Sequence, residues 1–340
     1  MTRVPVELYR CIVECVTDRK TLLSLLLTNQ VLHDEAERVL YHDVSNIFDI
    51  ESYTLLLQRF ISCPRVARLV RCFHFLMRSH IAEDHTCWKL LPIALRALTN
   101  LKMLVFRSIG GSLEAYIPSD CACQLEYLDW QCTSESKGSE LSHFLPTQHR
   151  LRTIQNLQWR SDYEVPPPTS LPALSTLSGN YDAIKALLPG RTVTSLHWIS
   201  DVKDVRSPDV SELVEPLGNL ETFRLGGHHE RPSLALLAEH LSKVKVLELF
   251  GVKPGDLECI DKLPRLEELK VSTQWGSSTD GPISPRDAAS VVSKLFDATP
   301  TLRYVDIAQP VYWPMSAFCQ AYDRWWRDST KPVTVQHFAF

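Results

Sequence analysis

The chain has 340 residues, 44% hydrophobic and 22% charged, with a formal net charge of −4 at pH 7. This length is ample for a sizeable core and weakly favours two domains, and the slightly acidic balance excludes a basic footprint for nucleic acid or an anionic membrane surface. No apolar run approaches the ~20 residues that span a bilayer, and the first twenty residues are too charged for a secretory signal. We therefore expect a cytoplasmic or nuclear protein whose ten cysteines are reduced.

Residues 1–44 are predicted to form three short helices. The first follows Pro5, a residue that is well tolerated at a helix start, and the other two are expected at about Lys20–Leu27 and Gln30–Leu40. One face of the first helix carries four apolar side chains, at the helical period: Leu8, Ile12, Cys15 and Val16. Helices this short cannot bury so much leucine among themselves, so the surplus needs the next part of the chain or a partner protein.

These N-terminal residues read VPVELYRCIVECV and then TLLSLLLTNQVLHDEAERVLYHDV. A Pro-x-Glu-Leu entry, an Ile four residues after the Leu and a leucine-rich second helix resemble the F-box, in the F-box-like variant common in fungal proteins. Val4 replaces the usual Leu, and Thr28-Asn29-Gln30-Val31 replaces the usual Cys-Lys/Arg-x-Trp. The resemblance implies docking on a Skp-family adaptor of a cullin complex. The implied adaptor face comprises Val4, Pro5, Leu8, Ile12, Leu22, Leu25, Leu26 and Val31.

Strand-like and helix-like segments alternate in the next part of the chain. Extended segments are predicted at Leu40–Val44 and Val66–Phe75, and helices at Ile50–Ile61 and Thr86–Leu98. These two strand–helix units predict that a repetitive fold begins directly after the third helix, without a flexible linker.

From residue 101 an apolar-x-x-apolar-x-apolar pattern recurs, with starts about 19 to 36 residues apart, as in a solenoid. The clear copies are Leu101/Leu104/Phe106, Leu125/Leu128/Trp130, Val193/Leu196/Trp198, Leu220/Phe223/Leu225, Val244/Leu247/Leu249, Leu266/Leu269/Val271 and Leu302/Val305/Ile307. One short strand cannot bury its apolar face alone, so stacked units share a continuous core. The pattern resembles a degenerate leucine-rich repeat, which implies parallel strands on a concave face and helices outside.

The frame of the repeat is ambiguous around residues 150–160. Either Leu151/Ile154 or Ile154/Leu157/Trp159 could be the core residues, and we prefer the second because it aligns Trp159 with the other strand tryptophans. A short copy is expected at Leu174/Leu177. Further on, Ser284 is predicted to cap a helix that carries Ala288 through Phe296.

The pattern breaks from about Val311, and an aromatic-rich helix is predicted to follow. Its aromatic residues are Trp313, Phe318, Tyr322, Trp325 and Trp326. We interpret this segment, with the extended tail Val333–Phe340, as a helical cap on the last repeat, and a partner-binding aromatic patch is the alternative. The predicted domains are thus an F-box-like helical domain at 1–44, a degenerate leucine-rich-repeat solenoid at 45–310 and a cap at 311–340, in an α/β fold.

The repeat strands also predict a target-binding face. Side chains alternate across a strand, so the residues on either side of the second apolar position are expected to point away from the core. The candidates are Tyr127, Asp129, His197, Arg224, Glu248, Lys270, Tyr304 and Asp306. Aromatic residues mixed with both charge signs suit a protein partner rather than nucleic acid.

Enzyme signatures are missing from the sequence, which has no Gly-x-Ser-x-Gly elbow, Walker loop, His-Glu-x-x-His or kinase set. His228-His229-Glu230 is interpreted as a solvated loop, and Cys121 and Cys123 as ordinary strand residues. We therefore expect no catalysis, no metal and no cofactor. The resemblance implies the substrate-recognition subunit of an SCF-type (cullin–RING) ubiquitin ligase with an unknown target. The alternative is a repeat scaffold outside any ligase, in which the N-terminal helices only cap the solenoid.

Overall fold

The computed structural model describes residues 5–45, 47, 49–77, 86–108, 117–132, 139–200, 208–226, 231–253, 255–273, 283–284, 286–309, 319–327, 329 and 331–338. Over these residues the chain is a mixed α/β protein with ten α-helices and thirteen strands. It divides into two compact units, Met1–Ile154 with Asp162–Ala173, and Gln155–Ser161 with Leu174–Phe340. The domain boundaries predicted near residues 44 and 310 lie within these units and stay predictions.

The first unit begins with three helices, as the sequence predicts: α1 (Val6–Glu14), α2 (Arg19–Leu25) and α3 (Gln30–His42). Asp18 and Asn29 cap the second and third helices, since their side-chain oxygens accept hydrogen bonds from backbone N–H groups of the first turn. Val13, Leu22 and Ala36 form the small core between the three helices.

The rest of the first unit alternates strands and helices. Its elements are β1 (Asp43–Val44), α4 (Ile50–Ser62), α5 (Pro64–Ala67), β2 (Cys72–Met77), α6 (Thr86–Ala97), β3 (Met103–Ser108), β4 (Tyr127–Cys132) and α7 (Ser139–Phe144). Strands β1 to β4 pair in chain order and are all parallel. The extended segment predicted at Val66–Phe75 is partly wrong, because Pro64 favours a helix start there and the strand begins only at Cys72.

Aromatic residues hold these strands and helices together. The Phe106 ring stacks on Phe75 at 5.2 Å and on Trp130 at 4.4 Å between ring centroids. The buried Tyr53 hydroxyl accepts a hydrogen bond from the backbone N–H of Leu76 and lies 2.8 Å from the His74 carbonyl. A backbone group buried without a partner would be destabilising, so this hydroxyl fixes α4 against β2.

Strand β5 (Thr153–Leu157) contains the point at which the first unit ends and the second begins. The second unit then contains β6 (Thr176–Gly179), α8 (Tyr181–Leu187), β7 (Ser195–Trp198), α9 (Val214–Leu217), β8 (Thr222–Leu225), β9 (Val246–Phe250), β10 (Glu268–Ser272), α10 (Ala288–Ala298), β11 (Tyr304–Ala308), β12 (Cys319–Trp326) and β13 (Val333–Phe338). Strands β6 to β11 are parallel neighbours in chain order, whereas β12 and β13 are antiparallel. None of the helices formed by the described residues combines the length and apolar character of a bilayer span.

Most strands start with the same hydrogen-bond arrangement. The Lys102 carbonyl accepts from two consecutive N–H groups, those of Glu126 and Tyr127, and the Glu221 carbonyl does the same for Lys245 and Val246. The apolar residues of the clear repeats lie at matching positions of these strands, and all are at most 6% exposed. The repeated apolar pattern thus predicts the strand register correctly.

The frame preferred around residue 154 is wrong. Arg152 and Thr153 both donate to the Glu126 carbonyl, so Leu151/Ile154 is the copy that matches Leu125/Leu128. Asn156 has a left-handed backbone (φ 55°), which changes the direction of the chain and still buries Trp159. The short copy at Leu174/Leu177 is confirmed, since both side chains are fully buried.

The C-terminal helical cap is also wrong over the described residues. Cys319–Trp326 is a strand that pairs antiparallel with β11, and its Trp325 lies opposite Val305. Aromatic residues favour strands that pack on a neighbouring strand. Trp313 and Phe318 lie outside the described residues. The helix after residue 284 begins later than predicted, at Ala288, with Asp287 rather than Ser284 as its N-cap.

Candidate protein-interaction surfaces

The three N-terminal helices expose apolar side chains on their outer surface. Leu8 is 49%, Ile12 54% and Leu27 88% exposed, and Leu23 and Val31 are exposed as well. We call these five residues the apolar helix surface. The helices bury their core on Val13, Leu22 and Ala36 instead, so a second apolar side is left in contact with solvent.

The predicted adaptor face only partly coincides with this surface. Pro5, Leu8, Ile12 and Val31 are exposed, whereas Leu22 is a core residue with 5% exposure. Leu25 and Leu26 are half-buried against the same core, and Val4 lies outside the described residues. Leu23 and Leu27 were not among the predicted site residues. The sequence signal for them was present, because the predicted second helix, at about residues 20–27, is apolar on nearly every side.

Polar side chains line up across the strands of the second unit at one register position. We call this set the polar row, and it consists of His197, Arg224, Glu248, Lys270, Asp306 and Arg324. Charges of opposite sign therefore alternate between neighbouring strands from Arg224 onward. Directly opposed charges of opposite sign stabilise a strand pair.

The acidic members of the polar row are buried and paired. Arg324 binds both carboxylate oxygens of Asp306, with N–O distances of 2.7 Å, and Asp306 is fully buried. Arg224 lies 3.1 Å from a Glu248 carboxylate oxygen. Because the arginines are the more exposed partners, this surface presents cations above buried carboxylates. Hydrogen bonding to Asp306 raises the pKa of Arg324.

A hydrogen-bond chain extends from the polar row to β12. Ser272 Oγ donates to Glu248 Oε1 at 2.7 Å, so the Tyr322 hydroxyl, 2.8 Å from the same Ser272 oxygen, acts as the donor to it. Burial raises the pKa of Tyr322 to about 12, which keeps the phenol protonated at neutral pH.

At one end of the row the His197 ring stacks on Phe250, 5.4 Å between centroids, and its Nδ1 lies 3.3 Å from Ser178 Oγ. Burial and the nearby Arg224 charge lower the pKa of His197 to about 3, so the imidazole is neutral at physiological pH.

At the other end the Arg324 guanidinium lies over the Tyr304 ring, 3.9 Å from its centroid. The neighbouring Trp326 is 42% exposed. Burial raises the pKa of Tyr304. A cation stacked between aromatic rings is common at protein-binding surfaces.

The eight predicted target-binding residues therefore differ in what they can offer a partner. Arg224 is exposed, while Tyr127, His197 and Lys270 are half-buried. The remaining four are buried: Asp129, Glu248, Tyr304 and Asp306. In the first unit, Asp129 pairs with Arg107 at 2.5 Å, as Glu248 and Asp306 pair with arginines in the second. The alternation of side chains across the strand was predictable, but the depth of these carboxylates was not.

One cluster of described residues has ligand-type atoms close enough for a metal ion, namely His33, Asp34 and Glu37 within 4.8 Å of one another. His33 Nδ1 is already 2.8 Å from the Leu26 carbonyl, and Glu37 pairs with Arg65. An arginine in contact with a ligand carboxylate opposes cation binding. The cluster is accounted for by these protein contacts.

The thiols of Cys121 and Cys123 are both buried. A hydrogen bond between the two side chains, together with burial, raises the pKa of Cys121. The protonated Cys121 thiol is therefore a poor nucleophile and metal ligand, whereas the same hydrogen bond lowers the pKa of Cys123. His228, His229 and Glu230 lie outside the described residues.

Comparison of the chain with protein-family models gave no match, and a search among curated proteins gave no significant relative.

Proposed function

We propose that the chain is an F-box-like substrate-recognition subunit of an SCF-type (cullin–RING) ubiquitin ligase, binding a Skp-family adaptor through its N-terminal helices. The apolar helix surface carries this proposal. Burying one leucine side chain is worth roughly 1.5–3 kcal/mol, so Leu8, Ile12 and Leu27, all about half exposed or more, provide a strong driving force for a protein partner. The F-box-like sequence entry at Pro5 supports the adaptor as that partner.

The remainder of the chain is proposed to be a degenerate leucine-rich-repeat solenoid that presents the target. Parallel strands that pair in chain order, with short helices between them, support this interpretation. The polar row and the neighbouring Trp326 are the proposed target-binding face. In this role the chain performs no chemistry itself and brings target and ligase together, raising their effective concentration.

A second candidate is a repeat scaffold that acts outside any ligase, with the N-terminal helices serving as an end cap. The favouring observation is that α3 continues directly into β1 and is bonded to the later elements of the first unit. Arg65 pairs with Glu37 of α3, and the Arg71 N–H donates to the His42 carbonyl at 3.0 Å. Helices held in this way stabilise a repeat fold even without an adaptor.

Co-purification of the full chain with a Skp-family adaptor tests the proposal. The informative variant is Leu8→Asp with Ile12→Asp, which places two charges on the apolar helix surface. A matched control, Val165→Asp with Leu236→Asp, charges two exposed apolar residues outside these helices. Circular dichroism and thermal unfolding check that all proteins are folded.

The ligase proposal expects a stable complex with wild type and the control variant, and at least about tenfold weaker binding by the Leu8/Ile12 variant, as at interface hot spots. A folded wild type that forms no complex with the adaptor would contradict it and leave the scaffold.

A further inference from the structure

A groove in the first unit belongs to neither of the surfaces described above. Its lining residues are Arg19, Tyr41, Ile47, Asp49, Ser52, Leu55, Leu56 and Arg59. They come from the start of α2, the end of α3, the connection to α4 and α4 itself. The groove has a volume of about 550 Å³, which is in the range of sites that hold a small ligand or a few peptide residues.

Two cationic side chains line the groove. Arg19 and Arg59 are exposed, and neither pairs with an acidic side chain among the described residues. Other exposed arginines of the first unit, such as Arg65 and Arg96, do have such a partner. A guanidinium that is free in the protein can bind a carboxylate in two parallel hydrogen bonds.

The one carboxylate in the groove is already engaged. Asp49 caps helix α4 by accepting a hydrogen bond from the Ser52 N–H at 2.7 Å. Backbone and side-chain hydrogen bonds from Ser52 lower the pKa of Asp49. Asp49 therefore stays ionised but is held by Ser52, and the lining residues comprise two cations and one carboxylate.

Apolar side chains also line the groove. Leu55 is 67% exposed, while Ile47 and Leu56 are half-buried. The half-buried Tyr41 ring packs edge-to-face on Phe60, 6.4 Å between centroids, and this contact fixes its position. An exposed leucine in a groove whose neighbouring ring is held in place can pack against a large apolar side chain of a partner.

We propose that this groove binds an acidic segment of a partner protein, in which carboxylates flank one large apolar side chain. Arg19 and Arg59 would each take a carboxylate, and Leu55 would contact the apolar side chain. Two cations are too few for a membrane surface, where clusters of 4–8 are typical, or for a nucleic-acid backbone. The proposal is independent of the adaptor and target assignments, since it uses none of their residues.

Fluorescence polarisation with peptide pools tests it on the full chain at 150 mM NaCl. The probe is a fluorescein-labelled pool, Gly-X-Glu-Glu-Leu-Glu-Glu-X-Gly, with X randomised. One comparison pool replaces every Glu by Gln, and another replaces Leu by Ser. Sedimentation with vesicles of phosphatidylcholine and phosphatidylserine tests separately for binding to a membrane surface.

The acidic leucine pool is expected to bind, and both comparison pools to bind at least about tenfold more weakly. Arg19→Gln, Arg59→Gln and Leu55→Ser should each weaken binding by about three- to tenfold, consistent with loss of a charge-assisted or apolar contact. Lys20→Gln and Arg68→Gln are the matched controls, because both remove an exposed cation outside the groove, and they should bind as wild type does.

Three results would overturn the proposal. The first is no binding of the acidic leucine pool by folded protein. The second is an equal loss of affinity in Lys20→Gln and Arg19→Gln, which would indicate unspecific attraction. The third is sedimentation with the vesicles that Arg19→Gln and Arg59→Gln abolish, which would identify a membrane surface as the occupant. Loss of adaptor binding in the Leu8/Ile12 variant with unchanged peptide binding would separate this site from the proposed function.

Discussion

Arg231 and Asp256 form an ion pair that is almost completely buried in the second unit. The guanidinium also donates to the Gly251 carbonyl at 2.7 Å, and the carboxylate accepts from the backbone N–H groups of Leu234 (2.9 Å) and Lys253 (2.7 Å). A buried charge pair contributes stability only when the remaining donors and acceptors are satisfied. Here they connect the loop that follows β8 with the loop that follows β9.

Asp256→Ala is expected to lower the free energy of unfolding by roughly 3–5 kcal/mol, because it leaves the Arg231 charge buried without its partner. Urea unfolding followed by circular dichroism measures the change. The exposed pair Lys262–Glu239 supplies the control, and Glu239→Gln should leave the free energy of unfolding close to that of wild type, because exposed ion pairs contribute little. Equal unfolding midpoints for the two variants would contradict this account of the pair.

His197 makes the stability of the second unit sensitive to acid. Its pKa is lowered to about 3 by burial and by the Arg224 charge, whereas an unfolded histidine has a pKa of about 6.5. Below pH 6.5 the unfolded chain takes up a proton that the folded chain does not. The contribution of neutral His197 is therefore fully present above about pH 6.5 and is lost as the pH falls towards 3.

His197→Gln should remove this dependence, since glutamine does not titrate. We expect the stability difference between wild type and the variant to shrink as the pH falls from 6.5 to 4.5, at no more than about 1.4 kcal/mol per pH unit. Urea unfolding at four pH values measures it. An exposed histidine replaced in the same way, His149→Gln, is the control. Parallel curves for wild type and His197→Gln would be evidence against a neutral imidazole at position 197 in the folded protein.

At the scale of single elements, the helices that the sequence predicts well are amphipathic and have clear start signals. Helices α3, α4 and α6 begin at the predicted residues Gln30, Ile50 and Thr86, because periodic apolar residues identify them and side-chain caps mark the start of the first two. Strand β12 was missed since alternating and helical spacing of Tyr322, Trp325 and Trp326 cannot be separated in so short a segment.

Gly179 in β6 is an element-scale constraint that no sequence pattern identifies. A Cβ at this position would lie 2.5 Å from the Leu157 carbonyl oxygen and 2.8 Å from the Ala183 Cβ. The glycine therefore allows the start of α8 and the chain near β5 to approach the strand closely.

Gly179→Ala is expected to destabilise the second unit by about 1–3 kcal/mol, the usual cost of overpacking. Gly218→Ala is the control, because its nearest contact would be 3.3 Å in a helical conformation (φ −65°) that alanine readily adopts. Thermal unfolding of both variants compares them. If Gly179→Ala melts at the temperature of wild type, the chain around Leu157 and Ala183 can shift to make room for the methyl group.

At the scale of the molecule, the repeated apolar pattern was sufficient to predict stacked strand units with a shared core, because burial imposes the same apolar spacing on each unit, and the resemblance to leucine-rich repeats added the parallel direction of the strands. The surface was harder to predict. α1 is apolar on two sides, and periodicity alone could not decide that Val13 faces the core while Leu8 and Ile12 stay exposed. The arginine pairs of the polar row join neighbouring strands, so they depend on register and depth rather than on any motif.

Shared burial between neighbouring strands leads to a prediction about the cooperativity of the second unit. Leu247 in β9 is fully buried, and its register partners are Phe223 in β8 and Leu269 in β10. Leu247→Ala should therefore cost about 2–5 kcal/mol and weaken the neighbouring strands as well as its own, because each strand buries its apolar face against the next. Native-state hydrogen exchange measures this strand by strand.

In Leu247→Ala, the slowly exchanging amides of β8, β9 and β10 are expected to lose protection by the same factor. Leu236→Ala, which truncates a leucine that is 45% exposed in the same unit, should leave all three unchanged. Faster exchange confined to β9 would mean that the strand opens alone, without the shared core that the repeated apolar pattern predicts. A common factor would mean that these strands unfold together, so that any target bound to the polar row would stabilise all of them at once.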